Sequence, residues 1–153
     1  MKNNLYASNE RPYLSDRKPK GAVVCPECGL VFLDGKWKRT EPPKEYEKHL
    51  CPACRRIKDN YFGGILYLES DLLKTKKEEI LNLIKNKEAS AMKSNPLRRI
   101  GKIEEPSDRE MIVYTTFEHL ATSLGKAIKR AYKGELTIQY RDGEKAARVY
   151  WSK

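Results

Sequence analysis

The chain has 153 residues, enough for one ordinary core or for a small module beside a compact domain. Its 31 Lys and Arg outnumber 21 Asp and Glu, and the formal net charge of +10 suits either a polyanionic partner, nucleic acid foremost, or a lysine-rich solvated surface. No stretch of about eighteen apolar residues occurs, which excludes a membrane-spanning helix. The polar start at Met1 to Asn4 carries no secretory segment, so a reducing, cytoplasmic setting is expected.

Residues 1–21 read as a flexible basic tail. Asn3, Asn4, Pro12 and Pro19 alternate with Arg11, Arg17, Lys18 and Lys20, and little here is able to offset the entropy of ordering. Tyr6 and Tyr13 fit either base-stacking rings on a basic arm or a plain leader.

Residues 22–62 contain all four cysteines, as Cys25-Pro26-Glu27-Cys28 and Cys51-Pro52-Ala53-Cys54. Two residues between thiols let one tight knuckle aim both sulfurs at a single ion, and two knuckles complete a tetrahedron. One structural Zn2+ held by Cys25, Cys28, Cys51 and Cys54 is therefore expected. Two disulfides or buried thiols are the alternative, disfavoured without a secretory segment. Gly29 supplies the positive φ a knuckle needs, and Asp34-Gly35 marks a hairpin turn. So few apolar residues leave the ion with much of the module's folding free energy.

Residues 63–153 form the second domain. Ile65 to Leu68 is apolar on both faces, as a central strand is. Ser70 or Asp71 caps a helix in which Leu73, Ile80, Leu83 and Ile84 recur, ending by Asn95-Pro96. Leu97 to Glu105 reads as a strand with a bulge at Gly101, and Met111 to Thr116 as its neighbour after a turn at Pro106 to Asp108. Thr115 and Glu118 stand in a capping-box relation at the start of the strongest helix, whose apolar face runs from Phe117 through Leu120, Leu124 and Ile128 to Ala131, with Gly134 at its end. Leu136 to Tyr140 and Ala147 to Trp151 alternate as strands around an Asp142-Gly143 turn. The fold class predicted is α+β: an N-terminal zinc ribbon, then a ferredoxin-like β-α-β-β-α-β domain with an extra C-terminal strand at its edge.

Cationic residues gather in three places. Lys36, Lys38 and Arg39 surround Trp37; Arg55, Arg56 and Lys58 follow the second cysteine pair; Lys126, Lys129, Arg130 and Lys133 share the polar side of the last helix. Cations beside an aromatic ring suit phosphate contact with base stacking, and all eleven residues are candidate RNA contacts. Trp37 fits equally a lid over the metal, and the helix stripe an ordinary solvated face. Catalysis has little support. His49 and His119 have no nucleophile or acid partner in sequence, four thiolates close a zinc shell, and the adjacent Glu104 and Glu105 point to opposite sides of a strand. A binding protein rather than an enzyme is expected.

Cys25-Pro26-Glu27-Cys28-Gly29, Trp37, Cys51-Pro52-Ala53-Cys54-Arg55-Arg56-Ile57 with Asp59, and Tyr114 to Ala121 resemble a family of small prokaryotic zinc-ribbon proteins. More distantly, the arrangement is similar to the N-terminal zinc region of large-ribosomal-subunit export adaptors and their archaeal relatives, which carry more cysteine pairs than the two found here. That resemblance implies ribosomal RNA and a ribosomal particle as partners, in assembly, regulation or hibernation. Other readings are a protein-interaction adaptor or transcription regulator, and an iron electron carrier. Cys25 to Gly29 with Leu30-Val31-Phe32 also resembles the first knuckle of rubredoxins, although those are small and acidic.

Overall fold

The computed structural model describes residues 21–141 and 145–153. The expected tail to residue 20 and the Asp142-Gly143 turn lie outside the described residues. Two compact units divide between Asp59 and Asn60.

The first unit contains a four-stranded sheet in the order β3-β2-β1-β4, built from β1 (Val23–Val24), β2 (Val31–Leu33), β3 (Lys36–Lys38) and β4 (Glu47–Lys48). The β2–β3 hairpin turns on Asp34 and Gly35 at φ 52° and 82°, the left-handed pair a two-residue hairpin turn requires. β4 runs parallel to β1. Val23, Leu30, Val31 and Phe32 are buried and form the apolar centre of this small unit. A helix, α1 (Pro52–Asp59), follows β4.

The second unit is a five-stranded mixed sheet with helices α2 (Leu72–Thr75), α3 (Lys77–Ser94) and α4 (Glu118–Tyr132). Its strands β5 (Gly64–Glu69), β6 (Ile100–Ser107), β7 (Glu110–Thr115), β8 (Glu135–Tyr140) and β9 (Ala147–Ser152) lie in the order β6-β7-β5-β9-β8. The apolar run of β5 takes the central place expected of it. β6, β7 and β5 pair antiparallel, as predicted. The last strand departs from the prediction. It does not extend an edge but lies beside β5, parallel to it, and displaces β8 to the edge. Val149 and Trp151 on β9 are fully buried, so this strand belongs in the middle of the sheet, whereas the half-exposed β8 tolerates the rim.

One sheet face carries Leu66, Leu68, Met111, Val113, Val149 and Trp151 into a core closed by Ile80 and Ile84 of α3 and by Leu120, Leu124 and Ile128 of α4. Local structure differs from expectation at four points. The first helix is broken at Lys76 (φ −120°, ψ 24°), with Ser70 Oγ accepting the Leu72 N–H at 3.0 Å ahead of the short α2. No capping box forms at α4: the Thr115 hydroxyl donates to the carbonyls of Phe117 (2.8 Å) and Gly64 (3.3 Å), tying the helix start to the central strand. Strand β6 continues through Pro106 and Ser107, so the turn to β7 comes at Asp108 and Arg109. The bulge at Gly101 is present as a register shift between Ile100 and Lys102, and Ala131 is exposed rather than part of the buried face.

Candidate metal centre

The first cysteine pair forms the expected knuckle. Between β1 and β2, the Gly29 N–H donates to the Cys25 carbonyl and the Cys25 N–H to the Leu30 carbonyl, both at 2.9 Å. Gly29 sits at φ 81°, where a side chain is strained, and this bend brings Cys28 back over Cys25.

The second pair is not a knuckle. Cys51 is the residue before α1 and Cys54 lies in its first turn. Pro52 takes the first helical position, where its fixed φ fits and its missing N–H costs nothing. The Cys51 carbonyl accepts the Arg55 N–H at 3.0 Å, and its sulfur accepts the Cys54 N–H at 3.4 Å. Cys51 thus caps the helix with sulfur in the place of the usual hydroxyl or carboxylate oxygen. A helix start also favours negative charge on that sulfur.

All four sulfurs lie within 4.8 Å of one another, and none is in a disulfide. Cys28 Sγ and Cys51 Sγ are 3.8 Å apart. A regular tetrahedron with metal–sulfur bonds of about 2.3 Å sets its sulfurs about 3.8 Å apart, so the spacing fits a metal ion such as zinc. Cys25 and Cys51 are buried, Cys28 and Cys54 half-buried. Burial pushes the Cys51 thiol well above its ordinary value, and the neighbouring Cys28, Cys25 and Cys54 push in the same direction against the Cys54 N–H. Four thiolates packed this closely repel one another, and a dication removes that repulsion. An all-sulfur shell suits zinc or iron, and four protein ligands leave no open position for a substrate.

The predicted cationic contacts separate into different environments. Around the hairpin, Lys36 is exposed. Lys38 reaches Asp34 at 3.8 Å, and Arg39 donates to the Cys28 carbonyl at 3.3 Å, bracing the knuckle. Trp37 is half-buried against Phe32, ring centroids 5.4 Å apart. On α1, Lys58 is exposed and Arg55 half-buried, whereas Arg56 keeps only 6% exposure, so its guanidinium is not presented to solvent. In the second unit, Lys126, Lys129, Arg130 and Lys133 are all exposed, and none makes an ion pair among the described residues. His49 is exposed beside Glu47 at 3.0 Å and does not belong to the sulfur cluster.

Sequence reasoning missed the cap made by Cys51 and the brace made by Arg39. Pro52 directly after Cys51, followed by six residues without a helix breaker, was the signal for the first. Arg39 is eleven residues from Cys28, a separation with no local signature. No protein-family model, no curated protein and no solved structure matches this chain. No helix among the described residues is long and apolar enough to cross a membrane.

Proposed function

We propose that this is a zinc-stabilised RNA-binding protein that acts on the ribosome or a pre-ribosomal particle in the cytoplasm, without catalytic activity of its own. One Zn2+ held by Cys25, Cys28, Cys51 and Cys54 makes the first unit rigid. The second unit is a split β-α-β scaffold of ferredoxin-like kind with one strand inserted. The observation that carries the reading is the outer face of α4, where Lys126, Lys129, Arg130 and Lys133 stand exposed with no acidic partner among the described residues. Like charges three and four apart destabilise an isolated helix. Attraction to the carbonyl end of α4 offsets that for the last three but acts weakly on Lys126, more than a turn further in. A polyphosphate partner would neutralise all four. Lys36 and Lys58 add exposed charge in the first unit. Arg56, being buried, is left out of the interface.

The test is RNA binding by the full zinc-loaded chain as a function of salt. Removing one cation that touches a phosphate lowers the logarithmic salt slope by about 0.7 on a single strand. Lys126→Gln with Lys129→Gln and Arg130→Gln lowers it by about 2 if all three touch phosphate. Salt-independent affinity would refute the reading. Co-sedimentation of the protein with ribosomal particles tests its ribosomal part.

A further inference from the structure

The helices cover one face of the second unit's sheet; the opposite face carries a different set of side chains. Cross-strand register defines two adjacent rows there. One row runs Lys102, Tyr114, Ile65, Arg148, Gln139, and the next Glu104, Ile112, Tyr67, Tyr150, Thr137. The Tyr67 and Tyr150 rings stack with centroids 4.9 Å apart and planes 6° from parallel. Tyr67 therefore covers one face of the Tyr150 ring. The other is turned toward β8, where the neighbour is the small, exposed Thr137, and Tyr150 keeps 38% exposure. Arg148, two residues along the same strand face, makes no ion pair among the described residues. Lys102 lies over the Tyr114 ring at 4.7 Å. Glu104 is the one carboxylate in the two rows; it sits on the edge strand and accepts from Tyr114 (2.8 Å) and Lys102 (3.3 Å). The acidic residues Glu69, Glu110 and Glu135 lie one row beyond the tyrosine pair, away from Arg148.

We propose that this helix-free face is a base-stacking platform for single-stranded RNA. A nucleobase extends the Tyr67–Tyr150 stack on the open face of Tyr150, and Arg148 contacts the flanking phosphate. The inference rests on the RNA-binding reading above and adds to it the strand state of the RNA and the residues that read its bases. Stacked rings with their free side exposed, and a cation in the next row along the same strand, are the elements that hold unpaired bases irrespective of sequence. The carboxylates beyond the tyrosine pair repel phosphate, so the strand runs toward the Arg148 side.

The experiment measures binding of the full zinc-loaded chain to a uridine oligomer of about twelve nucleotides, within the span such platforms cover, and to an abasic oligomer with the same number of phosphates. Tyr150→Ala weakens binding to the uridine oligomer on the order of tenfold, the effect of one lost base–ring stack. Tyr150→Phe keeps it, and neither change alters binding to the abasic oligomer. Tyr150→Leu retains the apolar cover of the sheet without the ring, so it behaves as Tyr150→Ala even if the alanine variant misfolds. Unchanged uridine binding in the leucine variant, with the wild type binding normally, overturns the platform and leaves the RNA reading standing. An equal loss on both oligomers overturns it too, as does equal affinity for a duplex. A wild type that binds neither oligomer overturns the platform, and one that binds neither oligomer nor an RNA duplex removes both readings.

Discussion

Removing the metal is expected to unfold the first unit and leave the second intact. Among the described residues, the first unit buries four large apolar side chains, Val23, Leu30, Val31 and Phe32. At about 1.5–3 kcal/mol each, these contribute roughly 6–12 kcal/mol before any ordering cost. A structural zinc site contributes about 10–16 kcal/mol, as much as that whole core, so loss of the ion removes roughly half of what stabilises the unit. The second unit has a core of its own on the helix side of its sheet. The assay is hydrogen exchange on the intact chain before and after exhaustive chelation. The amides of Cys25, Gly29, Cys54 and Arg55, which are bonded around the cluster, should lose protection, while those of β5 and β9 keep theirs. Elemental analysis should find one zinc per chain, in a colourless protein. Full protection of the four amides after chelation, with no metal detected beforehand, would refute the reasoning; a red, iron-loaded protein would favour the rubredoxin-like alternative.

Gly64→Ala places a methyl against Thr115 Oγ1 and 2.6 Å from Ala121 Cβ, at the start of α4 against the central strand. Overpacking of this kind costs about 1–3 kcal/mol, so the melting temperature of the second unit should fall by roughly 10 °C, and an unchanged melt contradicts the close approach. The buried Trp151 indole donates to the Lys133 carbonyl at 2.6 Å, and Trp151→Phe, which loses that bond and leaves a void, should cost about 2 kcal/mol in chemical denaturation. Tyr114 and Tyr132 both have phenols pushed up to about 12, first by loss of solvent and then by donation to Glu104 and Glu79. The fold favours the neutral phenol, so this stabilisation is complete below the ordinary value of 10.0 and is lost as pH rises from there to about 12. Absorbance of the phenolate in an alkaline titration should show a late class of tyrosines that shrinks in Tyr114→Phe; ionisation of every tyrosine near pH 10 in a still-folded chain counts against it.

Much of the candidate metal centre was legible because its determinants are local. The first C-x2-C pair, Gly29 and the Asp34-Gly35 turn each act within a few residues and take the predicted form, whereas the second pair meets the first from a helix start rather than from a knuckle. The apolar run of β5 and the helical periodicity of α4 were equally readable, because burial on both faces and a 3.6-residue period are written directly in the order of side chains. Where two local signals competed, packing decided. The Thr115 hydroxyl, free in sequence terms to form a cap, lies within reach of the Gly64 and Phe117 carbonyls and donates to them instead.

By itself the sequence determined which cysteines meet, where the strands and long helices of the second unit fall, and the sign of the net charge. The tertiary structure decided that the second cysteine pair is carried on a helix start, that Arg56 is buried, and that β9 inserts beside β5. It also decided which tyrosines stack on the helix-free sheet face. The physical reason is separation along the chain. Strand order and cross-strand neighbours arise from groups tens of residues apart competing to bury the same surface, and alternation along a strand fixes which side chains share a face but not which strand lies next to it.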